Sequence, residues 1–279
     1  MSWTQLRVSA VDAEARDLVI GALVAAGGSC AEEGDTLVTF VLDEPDGEAS
    51  VSAARGAVLA ASPGADVALT PGLTIDWSTQ WPTRVGMQRV GALTVAPPWL
   101  ADDAGDPARA IIIEPAMAFG TGEHPTTRGV LRLMQRVVRP GDFVADLGAG
   151  SAVLAIAAAK LGASRVLAVE LDPDAIGNAE ENVERNAVSH RVSVLEGDAV
   201  LVLPLVAPVR VILANIISSV LRALSPAMLA ALAPDGRAIL SGMLVAERDE
   251  MRAALERDGW RFDDEDAEGD WWSATVGRR

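Results

Sequence analysis

Residues 143–152, Phe143-Val144-Ala145-Asp146-Leu147-Gly148-Ala149-Gly150-Ser151-Ala152, decide the fold. The first five are apolar except for Asp146 and read as a buried strand. An Ala-rich helix follows from Ala152 to Leu161, closed by Gly162. A glycine-bearing turn therefore joins a buried strand to a helix. Glycine lets the backbone approach a ligand closely, and a helix N-terminus presents N–H groups with no partner inside the helix. A pyrophosphate-binding turn would carry the full G-x-G-x-x-G, whereas here Gly148 and Gly150 are followed by Ser151-Ala152. Taken alone, the turn serves a ligand or is a tight structural turn.

The same alternation continues outward. Arg165 to Leu171 reads as a strand, and Pro173 to Asn186 as a helix with Pro in its first turn. Further strands are expected at Val192 to Leu195, Val209 to Ala214, Arg237 to Ser241 and Trp271 to Val276. Helices are expected at Leu221 to Leu232 and Ala246 to Arg257. Repeated β-α-β units imply an α/β domain, a mostly parallel sheet with helices on both faces.

Residues 1–75 follow another pattern. Leu6 to Val11 alternates as a strand, and Asp12 stands as a helix N-cap with Glu14 in the first turn. Leu18, Val19, Ala22, Leu23 and Ala26 then keep helical spacing until Gly27-Gly28. Thr36 to Leu42 is a strand, Ala49 to Ala61 a helix and Val67 to Leu69 a short strand. That order suggests a small α+β domain of ferredoxin-like type. Residues 76–109 hold Trp77, Trp81, Trp99 and four prolines and read as a linker with some order around the tryptophans. Residues 110–279 form the α/β domain.

Composition narrows the function. Half of the 279 residues are hydrophobic, enough for a sizeable core. Lys and Arg total 23 against 39 Asp and Glu, a net charge of −16. That disfavours direct nucleic-acid binding, which needs a basic face, and favours a neutral or basic partner. Residues 1–75 hold 11 acids and 3 arginines, net −8, so about a quarter of the chain carries half the excess. A single cysteine, Cys30, excludes an internal disulfide framework, and no metal site is expected from Cys30, His124 and His190. No signal-peptide pattern opens the chain, and no apolar run reaches the length of a membrane span. The cytoplasm is the default location and a monomer the default state.

Several strand ends carry candidate site residues. Glu170 lies 20 residues past Gly150, where a carboxylate accepts hydrogen bonds from both ribose hydroxyls. A capping role suits Asp172, before Pro173, better. Asp198, in Glu196-Gly197-Asp198-Ala199, is placed either to accept from an adenine amino group or simply to form a turn. Asn215, after the strand at 209–214, offers an amide that could hold an amino group or cap a helix. Open α/β sheets bind ligands at these carboxyl ends. Phe119-Gly120-Thr121-Gly122-Glu123-His124-Pro125-Thr126-Thr127 forms a tight polar loop before a helix from Arg128. There His124 reads as a structural residue, and Thr127 as a helix cap or a ligand contact.

The stretch Ala118-Phe119-Gly120-Thr121-Gly122, one residue, then His124-Pro125-Thr126-Thr127 resembles the hallmark of the PrmA-type ribosomal protein methyltransferases. The resemblance continues through Asp146 to Ala163, Val169 to Asn186, Ala214-Asn215-Ile216 and Ser241 to Leu244, and reaches both ends of the chain. It implies methylation of a basic ribosomal protein, the large-subunit stalk-base protein L-eleven (L11), with S-adenosylmethionine as donor. It also implies a class I, Rossmann-like domain with a seven-stranded sheet behind a small substrate-recognition domain. Cofactor contacts are implied on Thr127, Gly148, Glu170 and Asn215, to which the residue reading adds Gly150 and Asp198. Ala152 departs from a usual third glycine, and Ile217-Ser218-Ser219-Val220 from a Leu-Ala-Gly-Pro pattern beside the acceptor site. Alternatives are a related methyltransferase for other protein lysines or a small amine, and a cofactor-binding module without catalysis.

Methyl transfer to nitrogen needs a neutral amine. A free lysine near pKa 10.4 is neutral about once in 2,500 at pH 7, roughly 4.6 kcal/mol uphill, whereas an α-amine near 8 costs about 1.4. A desolvated site lowers that cost. No dedicated base is therefore expected, and no catalytic residue is assigned beyond Asn215 orienting the amine.

Overall fold

The computed structural model describes residues 2–12, 15–27, 30–33, 35–42, 47–74, 86–115 and 122–279. Two compact units form, residues 1–80 and 81–279. The expected Glu14, Gly28, Trp77, Trp81 and Ala118 to Thr121 features lie outside the described residues.

The first unit runs β1 (Ser2–Ser9), α1 (Arg16–Gly27), β2 (Ala31–Glu33), β3 (Thr36–Leu42), α2 (Gly47–Ala61) and β4 (Asp66–Thr74). Its antiparallel sheet has the order β2-β3-β1-β4, the ferredoxin-like arrangement. Leu6 and Val8 of β1 meet Val19 and Leu23 of α1 and Val58 of α2 in one core. Asp12 stands just ahead of the helical turn that leads into α1. Its carboxylate accepts from the Ser62 hydroxyl at 3.2 Å, its carbonyl accepts from Ala15 N–H, and α1 begins only at Arg16.

The second unit opens with β5 (Gln88–Val90), β6 (Leu93–Ala96) and β7 (Ala110–Ile112), a three-stranded sheet. Much of the segment read as a linker is therefore folded with this unit. Leu93, Val95 and Ile111 are buried in the same core as Val130 and Met134. Then come α3 (Pro125–Val137), β8 (Phe143–Leu147), α4 (Val153–Lys160), β9 (Arg165–Glu170), α5 (Pro173–Arg185), β10 (Val192–Glu196), α6 (Ala199–Val206), β11 (Val209–Asn215), α7 (Ser218–Ala231), β12 (Leu232–Leu244), α8 (Arg248–Arg257), β13 (Trp260–Glu268) and β14 (Trp271–Arg278). The large sheet has the order β10-β9-β8-β11-β12-β14-β13, and only β14 runs against its neighbours.

Alternate residues of the central strands feed two cores. Val144, Val166, Ala168, Val211 and Leu213 pack on one side, and Ala145, Leu167, Val169, Ile212 and Ala214 on the other. Strands apolar on both faces need helices on both faces. After β8 the chain builds outward through β9 and β10, then returns to lay β11 on the other side of β8. That reversal opens a crevice at the carboxyl ends of β8 and β11.

The edge strand β13 carries Asp263, Asp264, Glu265, Asp266 and Glu268. From α3, Arg128 pairs with Glu268, Arg132 with Asp266 and Glu268, and Arg136 with Asp264. From α8, Arg248 and Arg252 both pair with Glu265, while Arg237 and Arg261 pair with Asp263. Four helical residues rise about 6 Å and two strand residues about 6.6 Å, so Arg128, Arg132 and Arg136 match alternate acids. Each such pair contributes at most about 1 kcal/mol, so the ladder sets register and makes an acid-rich strand tolerable rather than supplying bulk stability.

Candidate functional site

The turn after β8 is shaped by backbone. Gly148 and Gly150 have φ of 68° and 51°, and a Cβ on Gly148 would lie 2.7 Å from Ile216 Cγ2. Ala152 also sits in the left-handed region, at φ 63°, fully buried at the start of α4. Glu170, at the end of β9, reaches across to this turn. Its Oε2 accepts from Gly150 N–H at 2.8 Å, and its Oε1 accepts from Leu171 and Asp172 N–H at 2.8 and 3.0 Å. The carboxylate is thereby fixed in orientation, with lone pairs to spare for hydroxyl donors. Asp172 caps α5 through Asp174 N–H, so the capping role falls there.

Below the turn lies Asp146, almost wholly buried, with neither oxygen hydrogen-bonded. Burial raises its pKa to about 8; the Ala155 amide opposes this and the Glu170 charge adds to it. A carboxyl without a partner beneath a glycine turn marks a polar demand that a bound ligand or water can meet.

Helix α3 begins earlier than its sequence suggests. It starts at Pro125, with His124 rather than Thr127 as the cap, because Pro at the first helical position needs no donor. Thr127 is buried within the first turn, where its Oγ1 accepts from Asn215 Nδ2 at 3.4 Å. Asn215, at the end of β11, thus has its amide nitrogen directed to α3. Its Oδ1 makes no hydrogen bond among the described residues.

His124, Thr126, Asn215, Ile216, Ile217, Gly242 and Trp271 line a cavity of about 220 Å³. His124 Nδ1 takes the Thr126 N–H at 3.4 Å and lies 2.7 Å from the Thr126 hydroxyl, so the neutral ring carries its proton on Nε2. Burial, and then the Arg128 charge, lowers the His124 pKa and keeps the ring neutral. Trp271 meets that ring edge-on at 4.8 Å. No carboxylate lines this cavity among the described residues.

Structure thus brings Gly148, Gly150 and Glu170 together, and Thr127 with Asn215. Asp198 follows Gly197, whose N–H donates to the Glu170 carbonyl at 2.8 Å. It is exposed, and its Oδ1 caps α6 by accepting from Val200 N–H at 2.8 Å. Residues that sequence reasoning missed include Trp271 and Gly242. Gly242 has φ 86°, and a Cβ there would stand 2.5 Å from the Ile216 carbonyl oxygen. An isolated glycine within a strand pattern is a signal of close backbone approach. Two asparagines, Asn182 of α5 and Asn186 at its C-cap, were missed as well. Asn186 exchanges hydrogen bonds with both backbone groups of Ile112. Asn182 joins Glu114 N–H to the Ser151 carbonyl, linking the strand exit of β7 to the glycine turn.

Comparison with known proteins gives a consistent answer. A family model described as "Ribosomal protein L11 methyltransferase (PrmA)" matches residues 33–279. Proteins named ribosomal protein L11 methyltransferase include that of Chloroflexus aurantiacus, 40% identical over 227 residues, covering 73% of this chain and 69% of that protein. The Thermus thermophilus protein is 40% identical over 203 residues, covering 73% and 78%. That of Pelotomaculum thermopropionicum is 41% identical over 201 residues, covering 70% and 63%. Among solved structures, a ribosomal protein L11 methylase from Lactobacillus delbrueckii subsp. bulgaricus is 28% identical with a TM-score of 0.61, covering 70% of this chain and 99% of that one.

Proposed function

The chain belongs to the ribosomal protein L11 methyltransferase family, and we propose that it methylates amino groups of ribosomal protein L11 through the crevice between β8 and β11. The donor is S-adenosylmethionine, which when bound supplies an electrophilic methyl group on a sulfonium. Gly148, Gly150 and Glu170 would hold the donor's nucleoside half: the turn by close backbone approach, the fixed carboxylate by accepting from ribose hydroxyls. Asp198, whose Oδ1 caps α6, keeps Oδ2 to accept from the donor's adenine amino group. Buried Asp146, without a partner of its own, fits a polar ligand on the turn above it.

The observation that carries the acceptor assignment is the unshared Oδ1 of Asn215 beside an otherwise apolar cavity. Asn215 accepts one N–H of the incoming amine and directs its lone pair. Ile216, Ile217 and Trp271 exclude water, which lowers the amine pKa and makes the neutral form accessible. His124, already protonated at Nε2 and with Nδ1 engaged by Thr126, orders the helix start and removes no proton. The proton leaves after transfer, to solvent. Holding amine and methyl in line supplies much of the acceleration.

The substrate is a basic protein, the enzyme a monomer in the cytoplasm, and no nucleic acid is contacted directly. No helix among the described residues is long and apolar enough to cross a membrane. Label transfer from S-adenosylmethionine to purified L11 tests the proposal. Asn215→Ala is expected to lower transfer at saturating donor by about 10²-fold, as misplacement of a reactant does. Unchanged donor affinity together with unchanged transfer in that variant would remove Asn215 from the site.

A further inference from the structure

We propose that the large unit carries a second binding site, for a phosphate-sized oxyanion, at the amino-terminal end of its sheet beneath the end of α3. A cavity of about 270 Å³ lies there, lined by Arg136 of α3, Arg139 just beyond it, Arg210 from the start of β11, Arg237 of β12 and Thr275 of β14, with Asp263 and Asp264 of β13 also in its wall. The crevice that holds Gly148 and Asn215 is at the opposite, carboxyl end of the same strands, so this cavity belongs to neither donor nor acceptor.

Some of the charge is already neutralised. Arg136 pairs with Asp264, Arg237 with Asp263, and Arg210 Nε with Asp235 at 3.2 Å and Asp142 at 4.0 Å. Two donors remain without partners: Nη1 of Arg210 and the hydroxyl of Thr275, both buried and unbonded, with Thr275 only 2% exposed. Arg139 makes no ion pair among the described residues. A guanidinium nitrogen can only donate, so these groups call for an acceptor. A buried donor left unpaired costs stability, most of all a charged one. The two unpaired donors face one cavity, and Arg139 adds a solvated charge at its rim. An oxyanion offers acceptors to both buried donors at once, and several acceptors suit the planar fork of a guanidinium.

Calorimetry of the full chain with inorganic phosphate, at ionic strength matched with sodium chloride, tests the site. Saturable binding is expected, with a melting temperature that rises with phosphate as mass action requires. Arg139→Gln replaces an exposed side chain, and Thr275→Val keeps the volume while deleting the hydroxyl. Each is expected to weaken phosphate binding about tenfold or more while binding S-adenosylmethionine like the parent chain. A parallel titration with ribose 5-phosphate separates a free ion from a phosphate monoester: binding of either, weakened by both variants, supports the site. No saturable binding of either compound, or binding undiminished in Arg139→Gln or in Thr275→Val, overturns it.

Discussion

Replacing Gly242 by alanine tests whether the turn at Asn215-Ile216 is the working part of the crevice. Gly242 has φ 86°, where an L side chain costs about 1–2 kcal/mol. The new Cβ would also stand 2.5 Å from Ile216 O, 2.7 Å from its carbonyl carbon and 3.1 Å from its nitrogen. All three are backbone, so no side-chain rotation relieves the contact. Ordinary contact begins at 3.4 Å, so the Ile216 carbonyl must withdraw by about 0.9 Å. Ile216 N–H donates to the Ser241 carbonyl at 3.1 Å, so the shift also strains the link between β11 and β12. We expect a stability loss of about 2–4 kcal/mol. A misplacement near 1 Å at a reacting centre costs about 10²-fold in rate, and transfer should fall accordingly. Gly141→Ala is the control. Its φ is 91°, but nothing lies within 4 Å of the added methyl, and it stands at the far end of the sheet. It should pay only the conformational cost of about 1–2 kcal/mol and keep full activity. Chemical denaturation and label transfer measured on both variants separate the terms. Gly242→Ala with parental turnover, or with a stability loss equal to that of Gly141→Ala, would refute the reasoning.

Other perturbations read different parts of the account. Glu170→Gln leaves one carbonyl oxygen where two oxygens accept from Gly150, Leu171 and Asp172. It should lower stability by about 1.5–3 kcal/mol and donor affinity by about tenfold or more, with calorimetry as the check. Asp146, held near pKa 8 against an ordinary 3.8, keeps a proton in the folded chain that the unfolded chain releases. Stability of the ligand-free chain should therefore fall as pH rises from about 4 to about 8. Asp146→Asn should abolish that fall, and parallel denaturation profiles for parent and variant would contradict the assignment. Ala152→Gly relieves about 1–2 kcal/mol of left-handed strain. Against that, it loses a buried methyl worth about 0.8 kcal/mol and adds about 0.4–1 kcal/mol of unfolded-state entropy. The net change should stay within about 1 kcal/mol by thermal melting, and a larger gain would mean the turn stores more strain than its φ implies.

Much of the fold was legible because the central strands are apolar on both faces and their turns are punctuated by Gly, Pro and Asp. The strands β8, β9 and β11 and the helices α4 and α5 fall within a residue or so of their expected bounds. β13 was not legible. Five acids in nine residues carry no apolar alternation and gave no expected element, and arginines distant in sequence, on α3 and α8, pair with them in the strand. The three-stranded sheet of β5, β6 and β7 was hidden for a related reason: its strands are three or four residues long, below the reach of a period-two pattern. In the site, Glu170 and Gly150 were legible from their spacing along one β-α-β unit. Trp271, Gly242, Asn182 and Asn186 were not, since their partners are set by tertiary packing. The acidity changes meaning too. In the large unit many acids are internal partners of arginine, whereas residues 1–75 have 11 acids and only 3 arginines, too few to pair with them within that stretch.

The most direct measurement is the intact mass of ribosomal protein L11 after incubation with the enzyme and S-adenosylmethionine, followed by fragmentation to locate the added groups. The account predicts whole methyl increments on amino groups, present with the parent chain and strongly reduced with Asn215→Ala. An unchanged mass, under conditions where calorimetry shows the donor bound, would contradict it.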